Sequence, residues 1–113
     1  GKIITLYTIY RTNRLFYEFM EEVIREKLVM GEHSLEDMDI SLFFQRKADE
    51  DDNVSRWKEG TLKKLKEVIK NILYETGLLT RDKELQRQII HPDLRNHFLD
   101  IRADGFLSCI EGM

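Results

Sequence analysis

A chain of 113 residues, 42% hydrophobic and 35% charged, has room for one globular domain with its own core. Its single cysteine, Cys109, excludes an internal disulfide framework. With no secretory-type leader in view, that points to a reducing, cytoplasmic setting. The net charge of −3 argues against a uniformly basic nucleic-acid binder, and the longest apolar run, residues 3–10, is too short to cross a bilayer.

Residues 3–11, IITLYTIYR, are β-branched and nearly continuously apolar, a pattern shared by a strand and a buried helix. Helix is preferred here because a strongly helical segment follows at once. Asn13 is placed to cap a helix over 14–30, in which Phe16, Phe19, Met20, Val23, Ile24 and Leu28 recur at three- and four-residue spacing. Gly31 supplies the left-handed residue that ends such helices. Ser34, with Glu36 and Asp37 behind it, reads as the start of a helix running to about Ala48.

An acidic loop, 49–53, comes next. Its carboxylates are consecutive, whereas calcium loops space their ligands two apart and need a sharp glycine turn. Ser55 is placed to cap a short turn carrying Trp57; alternatively, Thr61 caps the amphipathic helix that follows, with Leu62, Leu65, Val68, Ile69, Ile72 and Leu73 on its apolar stripe and Gly77 at its end. Trp57, just ahead, suits a staple of that helix to the core. A short β element is expected near residues 78–90, two strands flanking the polar turn 80–83. Pro92 fits the first turn of a helix over 93–99, and the tail from Arg102 is irregular or one last short helix. The whole is one mainly α domain over 1–113. The opening Gly1 suggests a boundary inside a longer protein.

Catalytic chemistry finds no foothold. His91 and His97 stand six residues apart with Pro92 between them, His33 is remote, and only Cys109 adds a soft ligand, so no zinc set forms. Cys109 has no sequence-adjacent base, and the glycines Gly31, Gly60 and Gly77 are isolated, so no phosphate-cradling loop is present. The expectation is a non-enzyme without a metal or cofactor.

Charge distribution is more informative than its sum. Residues 32–52 carry eight acidic and two basic groups, whereas residues 53–70 carry six basic and two acidic. The order of a capped acidic helix, a loop, a lysine-bearing helix and a turn is that of helix-turn-helix and winged-helix domains, in which the second helix enters the major groove of DNA. The linking loop is longer than is usual there. On that reading double-stranded DNA is the partner, with phosphates met by Arg56, Lys58, Lys63, Lys64, Lys66 and Lys70, and by Arg81 or Lys83 on the wing. Tyr7, Tyr10, Phe16, Tyr17 and Phe19 offer surfaces for base stacking, but their spacing assigns most of them to the core. Two alternatives stay open. The acidic and basic blocks would serve a protein–protein scaffold equally well, and RNA would compete with DNA for the same cations.

The spaced set Trp57, Thr61, Lys64, Leu65, Leu73, Gly77-Leu78-Leu79, Ile90 and Pro92, with Arg25-Glu26-Lys27-Leu28 ahead of Gly31, resembles the BrxA family over most of residues 6–92. These are small helical proteins of bacteriophage exclusion (BREX) phage-defence systems. The resemblance implies a helical or winged-helix protein that binds DNA and serves a defence complex with other phage-defence proteins, without catalysing a reaction itself. Family members are longer, which would make this chain the C-terminal part. Some relatives carry an inner-membrane label, which these residues do not support, and others are compared with RNA-binding antitermination factors.

Overall fold

The computed structural model describes residues 2–50, 52 and 56–111. The ambiguous first segment is helical: α1 spans Lys2–Thr12 and buries Leu6 and Tyr10, one turn apart. Burial outweighs the strand preference of its β-branched residues. The hydroxyls of Thr8 and Thr12 donate back to the carbonyls of Ile4 and Thr8. Asn13 caps the next helix as expected, its Oδ1 accepting the Phe16 N–H at 3.1 Å.

The helix expected over 14–30 is present but not uniform. It runs as α2 (Arg14–Phe19), a π-helical turn (Met20–Ile24) and α3 (Arg25–Val29). The Arg25 N–H reaches the Met20 carbonyl, one residue further back than an α-helix allows. The wider turn buries Phe19, Met20, Val23 and Ile24 together. Gly31, at φ 78°, then ends α3 in a Schellman motif, with Gly31 N–H on Leu28 O and Glu32 N–H on Lys27 O.

The acidic helix α4 spans Asp37–Glu50, slightly longer than the pattern suggests. Ser34 does not cap it. The Glu36 N–H donates to Asp39 Oδ2 at 2.8 Å, while Ser34 pairs with Glu84. The basic helix α5 covers Glu59–Glu75 and starts two residues before Thr61, behind Lys58, with no side-chain cap. Ser55 and part of the acidic loop lie outside the described residues.

Among the described residues there is no strand. The expected β element at 78–90 contracts to isolated bridges, Leu79 to Leu85 and Ser34 to Glu84. A second strand cannot extend because residues 86–90 do not alternate between core and solvent. Gln86, Arg87 and Ile89 are all exposed, and the Gln88 N–H turns away to the Ile110 carbonyl. The winged-helix hairpin therefore does not form as a strand pair.

Helix α6 (Pro92–Asp100) has proline in its first turn, as anticipated, and His91 at its cap, Nδ1 accepting the Asp93 N–H. The tail is ordered as α7 (Asp104–Glu111), which buries Phe106, Leu107, Cys109 and Ile110 against α3 and the π-helical turn. The core joins these helices through aromatic contacts. Phe98, Phe106 and Tyr7 meet at 5.0–5.3 Å, and Phe19 meets Phe43 edge-on at 5.2 Å.

Candidate nucleic-acid interface

Helix α5 presents its basic residues in two groups. Ile69 and Leu73 define the buried stripe, and Lys63, Lys66 and Lys70 follow one flank of it at spacings of three and four. That flank faces α4. Lys66 Nζ donates to Ser41 Oγ at 3.1 Å, and Lys70 pairs with Asp37 at 2.7 Å and with Glu67 at 3.5 Å. The hydrogen bond and charge of Asp37 raise the Lys70 ammonium above its ordinary range, and Lys70 lowers the Asp37 carboxyl in turn. After α5, Lys83 stands 3.8 Å from Glu36, and the Arg81 guanidinium lies 5.9 Å from the Tyr74 ring centroid.

Four of the eight cations proposed from sequence are thus engaged within the fold. The acidic and basic blocks meet each other across α4 and α5, which lowers the positive field expected on that flank. The other four differ. Arg56, Lys58, Lys63 and Lys64 are exposed and have no ion-pair partner among the described residues. They cluster in sequence at the N-terminal end of α5, where the first N–H groups lack a side-chain cap. Lysines at the positive end of a helix dipole repel it, and Glu59 is the acidic residue of the helix's first turn.

Sequence reasoning missed Lys47. It is 6% exposed, and its ammonium bridges Glu22 of the π-helical turn, Glu18 of α2 and Glu50 of α4. Burial opposes its charge, but the three carboxylates outweigh that and raise its pKa. A lysine on the apolar stripe of α4, four residues after Phe43, was the available signal.

Of the aromatic residues weighed for stacking, Phe16, Phe19 and Tyr10 are buried, Tyr7 is half-buried and Tyr17 is 43% exposed. The Tyr10 hydroxyl donates to Glu21 Oε1 at 2.6 Å, and Arg25 holds Oε2 at 3.1 Å. Burial first, then the bond to Glu21, pushes the Tyr10 phenol up. Burial and the Glu21 charge do the same to the Cys109 thiol. Among the described residues no cluster of metal-binding side chains occurs, and no helix is long and apolar enough to cross a membrane.

Fold and surface together define a small, mainly helical chain whose acidic and basic blocks meet across α4 and α5, with Arg56, Lys58, Lys63 and Lys64 exposed and without an ion-pair partner among the described residues. The BrxA family model matches residues 1–101. The chain is also 43% identical over 108 residues to the BREX protein BrxA of Bacillus cereus (strain H3081.97), covering 93% of this chain and 52% of that relative. The chain belongs to the BrxA family, and it spans about half the length of the curated relative it matches. No solved structure matches it.

Proposed function

We propose that this chain is a non-catalytic, cytoplasmic DNA-binding module of a BREX phage-defence system, meeting duplex phosphates through the N-terminal end of α5. The observation that carries the reading is the open cluster Arg56, Lys58, Lys63 and Lys64 beside an uncapped helix start. Such contacts give affinity without sequence preference. A wing would reduce to the turn 80–83, where Lys83 is already paired and Arg81 rests near Tyr74. The reading therefore rests on α5 rather than on a winged-helix hairpin.

Fluorescence anisotropy with a short duplex, titrated against salt, tests it. Lys63→Gln with Lys64→Gln removes two contacts and should flatten the slope of log K against log salt by about 1.8. Unchanged affinity and slope in that double variant would remove the assignment. Competition with single-stranded and structured RNA decides between DNA and RNA as the nucleic acid bound.

The scaffold reading draws on a different observation. Met30 and Leu42 line an open groove of about 430 Å³ between α3 and α4, and Val29 and Met38 are further exposed apolar side chains on those two helices. A protein partner that copurifies after nuclease treatment would favour it.

A further inference from the structure

A second cavity, of about 360 Å³, opens where α1, α2 and α7 meet. Tyr7, Tyr10 and Phe106 form its packed aromatic wall, with Tyr10 and Phe106 at 5.1 Å, and Tyr17 stands against Tyr10 at 4.9 Å with much of its ring in solvent. The carboxylate that lines it, Glu21, comes from the π-helical turn, an irregularity that recurs at binding sites. Both its oxygens are occupied, by the Tyr10 hydroxyl and by Arg25, so its charge is compensated. Two further guanidinium groups line the opening, Arg11 at the end of α1 and Arg102 after α6, and neither has an ion-pair partner among the described residues.

Arg102 occupies that place at a conformational cost. It adopts φ 61° as the left-handed residue of a Schellman motif, with Arg102 N–H on Leu99 O and Ala103 N–H on Phe98 O. The corresponding residue after α3 is Gly31, and the left-handed residue after α5 is Gly77. An arginine held where glycine is the unstrained choice, with its side chain lining an aromatic cavity, is strain at a site.

We propose that this cavity binds one nucleotide unit, its base stacked on Tyr17 and its phosphate held by Arg11 and Arg102. Aromatic faces take any base, and guanidinium pairs suit phosphate oxygens. The volume lies in the range of small-ligand pockets. The same chemistry belongs to a free mononucleotide and to the end of a single strand. The site is built from helices other than α5 and does not depend on the duplex reading above.

Calorimetric titration of the chain with AMP, adenosine and inorganic phosphate, each up to millimolar concentration, tests the proposal. AMP should bind more tightly than either fragment. Arg102→Gly removes the guanidinium while relieving the backbone, so its Tm should hold or rise while AMP affinity falls roughly tenfold. Tyr17→Leu should lose roughly as much. A 5′-phosphorylated dinucleotide separates the sources: tighter binding than AMP assigns the pocket to a strand end, and equal or weaker binding assigns it to the free nucleotide. The proposal is overturned by no AMP binding, by phosphate or adenosine matching AMP, or by both variants binding as the parent does. Binding that survives Lys63→Gln with Lys64→Gln separates this site from the one on α5.

Discussion

Replacing Lys47 with methionine isolates what the buried ammonium does. Methionine keeps most of the hydrocarbon stem beside the Phe43 ring, whose centroid lies 5.4 Å from Lys47 Nζ, and removes only the charge. Glu18, Glu22 and Glu50 then face one another without their shared cation. Charge-assisted hydrogen bonds in a dry interior contribute about 1.5–3 kcal/mol each. These carboxylates are between a quarter and two-thirds exposed, so water recovers most of that and the loss should be about 2 kcal/mol in total. For a domain of this size that lowers Tm by roughly 8 °C, readable by circular dichroism at neutral pH. The pH dependence has a definite sign. A lysine pKa raised in the folded state gives stability that is complete below the unfolded value, about 10.4, and is lost as pH rises through the higher folded value. The parent should therefore lose its advantage over Lys47→Met above about pH 10.4. It should also lose it in acid, where the carboxylates take up protons. A variant as stable as the parent at pH 7, with no convergence at either extreme, would show that the cluster contributes nothing net.

Gly31→Ala should cost about 1 kcal/mol, because φ 78° is strained for any side chain even though open space surrounds that position; chemical denaturation measures it. Cys109 is fully buried and its thiol is held protonated, so it should react with a thiol reagent only as the chain unfolds, at a rate that follows denaturant concentration.

Legibility in the sequence tracked how local each determinant is. Asn13, Gly31, Gly77 and Pro92 act within one turn of themselves, and each sits where its chemistry placed it, at a cap, two left-handed helix ends and a first turn. The π-helical turn has no local signature. It arises because Phe19, Met20, Val23 and Ile24 all find burial while Glu21 meets Tyr10, eleven residues away. The strand pair at 78–90 failed for a similar reason: the Gln88 N–H pairs with the Ile110 carbonyl of α7, which the alternation of residues 85–90 cannot announce. The candidate interface was half legible. The sequence shows Lys63, Lys64, Lys66 and Lys70 together on the basic helix, but only the packing of α4 shows that Asp37 and Ser41 take Lys70 and Lys66.

That division makes Asp37 a sensitive probe of the duplex reading. Lys63 and Lys70 are seven residues apart, about 10 Å along α5, which is one Debye length at 0.1 M salt. A phosphate chain reaching Lys63 would therefore feel the charge at Lys70, now offset by Asp37 at 2.7 Å. Asp37→Asn removes the opposing charge while leaving a side chain that still accepts a hydrogen bond from Lys70. Asp37 is largely exposed, so the fold should tolerate the change. Duplex affinity should rise a few-fold in low salt and converge with the parent as salt is raised, because one exposed charge acts through a screened field. Weaker binding by Asp37→Asn would mean that the duplex needs the α4 carboxylate, which no phosphate contact along α5 can accommodate.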